Sequence, residues 1–98
     1  MDEDRNLTEA FDRLERLLEL PVEFTLKIMG RRVDDFAQQV ADLVLLHVPE
    51  FDPSTIELRV SSKGSYLSVT VVVRVQSREQ LENLYRALAT HPLVSIVL

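Results

Sequence analysis

The sequence predicts an α+β fold of βαββαβ order, a split-βαβ sandwich. A four-stranded antiparallel sheet carries two helices on one face, with an extra helix at the N-terminus. Three observations lead there. Three segments alternate apolar and polar residues with the period of a strand, and the chain closes on a short apolar run. Two further segments repeat apolar residues every three or four positions. After a first helical stripe, their order along the chain is β, α, β, β, α, β.

The first stripe is Leu7, Ala10, Phe11, Leu14, Leu17 and Leu18, which share one face of a helix. Asn6-Leu7-Thr8-Glu9 supplies a capping box at its start, and Pro21 stops it. Val22, Phe24, Leu26 and Ile28 then alternate with Glu23, Thr25, Lys27 and Met29, a strand with one apolar face. Gly30-Arg31-Arg32 reads as the connector to a helix with Asp34 or Asp35 in its first turn. The inward face of that helix is Val33, Phe36, Val40, Leu43, Val44 and His47. Pro49 and Pro53 bracket the loop beyond it.

Ile56, Leu58 and Val60 alternate with Glu57 and Arg59 in a short second strand. Ser61-Ser62-Lys63-Gly64-Ser65 is turn chemistry, with Gly64 free to take positive φ. Leu67, Val69, Val71, Val73 and Val75 form the apolar row of the longest strand, Tyr66 to Val75, which completes a hairpin. Ser77 and Gln80 form a second capping box, followed by the stripe Leu81, Leu84, Tyr85 and Leu88. His91-Pro92 ends that helix, and Leu93 to Leu98 is the last strand.

Composition bounds the function classes. The 98 residues suit one domain, 46% hydrophobic and 28% charged, with no cysteine and a net charge of −5. Disulfide and thiolate chemistry are excluded. An acidic start and the lack of a long apolar run predict a cytoplasmic protein with no membrane partner. Seven acids against three arginines fall in residues 1–20, so the acidity is concentrated there. The chain divides into residues 1–19, an acidic extension with an amphipathic helix, and residues 20–98, the ferredoxin-like domain. No surplus of Lys and Arg exists to neutralise phosphates, so nucleic acid is not an expected partner.

The right-handed crossovers of this topology gather distant segments. Gly30, Arg31, Arg32, Ser62, Lys63, Gly64 and His91 are expected at one end of the sheet, as a candidate site for a carboxylate or phosphate. The sheet face away from the helices is expected to carry Glu23, Thr25, Lys27, Met29, Glu57, Arg59, Tyr66, Ser68, Thr70, Arg74 and Ser95. A candidate interaction surface comprises Leu7, Phe11, Leu14 and Leu18 of the first helix, with Lys27, Arg59, Tyr66 and Arg74 of that open face. One aromatic on the face is too few for base stacking. The two histidines fall at opposite ends of the domain, and no metal or other cofactor is expected.

Several segments together resemble a known family. They are Pro21-x-x-Phe24-x-x-Lys27-x-Met29-Gly30, then Ser61-Ser62-Lys63-Gly64-x-Tyr66-x-Ser68-Val69, then Leu84-Tyr85 and the terminal Val94-Ser95-Ile96-Val97-Leu98. Over about residues 18–98 the chain resembles the YbeD-like family, small bacterial proteins labelled lipoate regulatory proteins. The chain departs from that pattern at Leu20, where an aromatic usually precedes the proline, and in its longer N-terminal helix. The resemblance implies a ferredoxin-like fold similar to the ACT regulatory domain and a link to lipoate metabolism, and it carries over no catalytic residue.

The expected function is therefore a non-catalytic regulatory or adaptor module that binds a small anionic metabolite or a protein partner. Self-association is open to it through the sheet face, the sheet edges or the first helix. One alternative is an acylphosphatase-like hydrolase using Arg31 or Arg32. That chemistry also needs a water-positioning asparagine, and the chain has only Asn6 and Asn83. Another is a protein–protein adaptor without a small ligand.

Overall fold

The computed structural model describes residues 7–10 and 21–98. Its elements run β1 (Val22–Arg31), α1 (Phe36–His47), β2 (Glu57–Val60), β3 (Tyr66–Val75), α2 (Arg78–Ala89) and β4 (Val94–Val97). The strands form one antiparallel sheet in the order β2-β3-β1-β4, the ferredoxin-like order. Residues 7–10 are helical, and Leu7 is half-buried against the core. The rest of the predicted first helix, with Phe11, Leu14 and Leu18, lies outside the described residues.

The core is the apolar sheet face covered by the helices. Every residue of the β3 apolar row, Leu67 to Val75, is buried. Leu26 and Ile28 of β1 join it, with Phe36, Val40 and Val44 of α1 and Leu81, Leu84 and Leu88 of α2.

Four expectations are corrected. First, β1 runs on through Gly30 and Arg31, which pair with Leu67 and Tyr66, so the connector starts at Arg32. Second, α1 starts at Phe36, with Asp35 at its N-cap position and no acid in its first turn. Val33 ends up exposed rather than inward. Third, Leu58 and Val60 share the helix-side face with Val69 and Leu67, yet remain 56% and 44% exposed. Being on an edge strand, they lie beyond the cover of the helices. Fourth, the β1–β4 register shifts between Met29 and Gly30. Ser95 is the extra residue of this bulge, and Ile96, not Ser95, stands opposite Met29 on the open face. Val97 turns into the core instead.

The Ser77 cap forms as its sequence predicts, while the reciprocal bond from Gln80 reaches the residue before the cap. The Gln80 amide donates to Ser77 Oγ at 3.1 Å, and the Gln80 side chain accepts the Gln76 N–H at 2.6 Å. Gln80 also donates from Nε2 to the His47 carbonyl at 3.0 Å, tying the start of α2 to the end of α1. That carbonyl is one of those a helix end leaves unpaired. Ser77→Ala is therefore expected to cost about 1 kcal/mol. Gln80→Ala removes a part-buried bond as well and is expected to cost about 2 kcal/mol. Urea denaturation of both variants measures the difference.

The loop before β2 has its own cap. Asp52 accepts from the Ser54 N–H at 3.0 Å and from Ser54 Oγ at 2.7 Å. The Ser54 hydroxyl first, and then its amide, hold the Asp52 carboxyl below the usual carboxylate range. The stabilisation is present above the unfolded carboxylate pKa and is lost as pH falls through the depressed folded value. The stability gap between the wild type and Asp52→Asn is expected to narrow in acid, as read by melting temperature against pH.

Candidate functional site

The open sheet face is ordered by strand register into rows. Arg59 of β2 and Met29 of β1 flank Ser68 of β3, with Ile96 of β4 beyond Met29. In the next row Glu57 and Lys27 flank Thr70. Leu98 exchanges both backbone hydrogen bonds with Lys27, at 3.0 and 2.8 Å, and so extends that row. Arg31 faces Tyr66, and Arg74 faces Glu23.

At the hairpin end of this face lies a groove of about 500 Å³. Its lining includes Lys27, Arg59, Tyr66, Ser61, Ser62 and Ser68, with Met29 and Leu98 as apolar residues of the same face and Val60 at the edge. Lys27 and Arg59 stand on strands separated only by β3 and one row apart, so their backbones are roughly 12 Å apart across the sheet. Neither is ion-paired among the described residues. The groove therefore offers two cations without an ion-pair partner among the described residues, several hydroxyl groups and the apolar side chains of Met29 and Leu98. Arg74 lies outside it, opposite Glu23 in the register.

The hairpin shapes the groove's rim. Ser61 donates its N–H to the Tyr66 carbonyl at 2.9 Å, and its Oγ accepts the Tyr66 N–H at 3.1 Å. Gly64 donates to the Ser61 carbonyl and adopts φ of 76°, the left-handed conformation that glycine takes at little cost. This turn delivers Ser61, Ser62 and Tyr66 to one wall.

Of the residues grouped by sequence as an anion site, Arg31 and Arg32 stand beside the hairpin. Arg32 donates its amide to the Ser65 carbonyl at 3.0 Å, and its guanidinium reaches the turn, 3.7 Å from where a Gly64 Cβ would stand. Arg31 lies on the open face beside Tyr66, while Lys63 is exposed at the turn. Ser62 alone of the set lines the groove. Gly30 and His91 serve the fold instead. Gly30 is buried where β4 and Phe36 close over it. The Nδ1 of His91 accepts the Leu93 N–H at 3.1 Å, which leaves Nε2 to donate to Gln39 Oε1 at 3.1 Å. Both ring nitrogens are thereby occupied.

Sequence reasoning named Lys27, Arg59 and Tyr66 as surface and Ser62 as site, but did not unite them. Leu98 was missed because a continuous apolar run carries no face signal. The alternation in β1 did place Met29 on the open face. A second groove, of about 320 Å³, lies on the helix side, between α1 and β2. Ala37, Ala41, Leu45, Ile56 and Leu58 line it, with no charged residue.

Comparisons with known proteins agree with this fold. A family model described as "Protein of unknown function (DUF493)" matches residues 15–98. A UPF0250 protein of Janthinobacterium sp. (strain Marseille) is 53% identical over 87 residues, covering 89% of this chain and 96% of the relative. A UPF0250 protein of Neisseria meningitidis serogroup C is 45% identical over 98 residues, the whole of both chains. The solved ACT domain from the GTP pyrophosphokinase of Chlorobium tepidum matches with a TM-score of 0.55 at 16% identity. That likeness covers 78% of this chain and 94% of the ACT domain, and it concerns the fold. With nearly full-length relatives at about half identity and a family match over most of its length, this chain belongs to the DUF493 family of UPF0250 proteins.

Proposed function

We propose that the protein is a non-catalytic regulatory module of the cytoplasm that binds a small anion bearing an apolar chain in the open-face groove. The observation that carries this reading is the pairing of Lys27 and Arg59, neither ion-paired among the described residues, with the apolar side chains of Met29 and Leu98. The cations receive a carboxylate through charge-assisted hydrogen bonds. Tyr66 and the serine hydroxyls add orientation, and the apolar chain lies over Met29 and Leu98. The carboxylates implied by the family's lipoate label, lipoate and octanoate, have this chemistry and are the first probes. Regulation follows if the ligand binds one arrangement of the groove better than another and so shifts which surface is presented.

The test is a thermal-shift series with octanoate, lipoate and inorganic phosphate. A ligand present at about 100 times its Kd stabilises by roughly 2.7 kcal/mol. In a domain of this size that corresponds to a rise of roughly 11–22 °C in Tm. Lys27→Ala is expected to raise the Kd for the carboxylate about tenfold or more. A response to phosphate equal to that for octanoate removes the role of Met29 and Leu98. No response to any probe moves the assignment to a protein adaptor. Hydrolysis of an acyl phosphate, lost when Arg31 and Arg32 are both replaced by alanine, would favour the enzyme instead.

A further inference from the structure

We infer that the hairpin end of the sheet is a docking surface for an acidic segment of a partner protein, held chiefly by Arg31, Arg32 and Lys63. This surface lies beside the groove and stands whether or not the groove takes a ligand. Residues 24–33 and 58–73, which pair in the sheet and meet at this end, hold five of the chain's eleven bases and none of its sixteen acids. The rest of the chain carries all sixteen acids against six bases. Arg31, Arg32 and Lys63 are exposed, and none is ion-paired among the described residues. Asp34 and Asp35 follow within four residues of Arg31, yet neither pairs with these cations. Neighbouring like charges repel one another, and a partner of opposite sign relieves that repulsion.

Shape and charge select the occupant. Neither groove is lined by Arg31, Arg32 or Lys63, so a small anion finds no walls among them. What engages all three brings a surface of its own. Tyr66 stands opposite Arg31 and is 44% exposed, and Arg and Tyr are the residue types that most often carry interface energy. Nucleic acid and anionic bilayers are too extended for this patch. Either reaches past it to Asp34, Asp35 and Glu57, with the acidic remainder of the chain behind them. A short run of carboxylates in a protein segment ends where the patch ends.

The experiment is fluorescence anisotropy of the full chain with a short labelled peptide alternating glutamate and alanine, its lysine counterpart serving as the control. The wild type is expected to bind the acidic peptide saturably at low ionic strength and more weakly as salt screens the charges. Arg31→Glu and Lys63→Glu are each expected to raise the Kd about tenfold. Both positions are exposed, so both variants keep the wild-type circular dichroism. Arg74→Glu makes the same change in net charge at the far end of the sheet and is expected to leave the Kd nearly unchanged. Absence of saturable binding by the wild type overturns the inference. So does an Arg74→Glu effect equal to that of Arg31→Glu, or binding of a short oligothymidylate or a phosphatidylglycerol vesicle as tight as that of the peptide.

Discussion

Replacing Gly30 with alanine is expected to destabilise the protein by about 3 kcal/mol or more, the upper range for overpacking a core. The cause is space. A Cβ at Gly30 would overlap the backbone carbonyl oxygen of Leu93 and stand 2.8 Å from two ring carbons of Phe36. Neither neighbour yields cheaply. Leu93 O belongs to the main chain that leads into β4, and the Phe36 ring is fully buried among core residues. Gly30 also pairs with both Leu67 and Val94, so β1 cannot move away without breaking two ladders. At roughly 4–8 °C per kcal/mol, Tm should fall by roughly 12–24 °C. A fall of only a few degrees would mean that β4 can shift outward.

Phe36→Ala is expected to cost about 3–5 kcal/mol by opening a cavity. Phe36 is the first residue of α1 and, among the described residues, the largest fully buried side chain, so its loss also weakens the docking of the helix start. The two substitutions should not add. Removing the ring relieves one of the two overlaps at Gly30, so Gly30→Ala costs less in the Phe36→Ala background than in the wild type. The overlap with Leu93 O remains, so the cost does not vanish. Neighbours in contact typically couple by about 0.5–3 kcal/mol, and a double-mutant cycle by urea denaturation resolves this. Strict additivity would show that Phe36 does not press on Gly30.

These two residues also show what the sequence conveys and what it withholds. The five-fold alternation of β3 and the N-cap at Ser77 are local signals, and both form as read. Gly30 was read as a connector because glycine next to two arginines looks like a turn. Its actual constraint comes from Leu93, far along the chain, and no local pattern reports that approach. The same holds for β4. Its run of apolar residues has no alternation, so the bulge that turns Val97 inward and Ile96 outward is invisible before the register is known. Leu58 and Val60 carry a normal strand pattern, and only the strand order reveals that the edge leaves them exposed.

The site divides in the same way. Lys27, Arg59 and Tyr66 were legible as open-face residues, because period-two alternation settles which face a side chain takes. That Lys27 and Arg59 flank a single groove depends on β3 lying between β1 and β2, a matter of topology. Two residues of the expected anion site, Gly30 and His91, are held by the fold itself. Extending β1 by two residues moved Gly30 into the sheet, and the hydrogen bonds of His91 tie it to α1 and the start of β4.

The central claim is that the open-face groove receives an anion with an apolar chain. Its most direct test is a titration of the labelled protein with octanoate, followed in the two-dimensional amide NMR spectrum. The account predicts saturable shifts concentrated at Lys27–Met29, Arg59–Ser62 and Tyr66–Ser68, reduced when Lys27 is replaced by alanine. Shifts confined to the helix side around Ala41 and Leu45, or none at saturating octanoate, would contradict it.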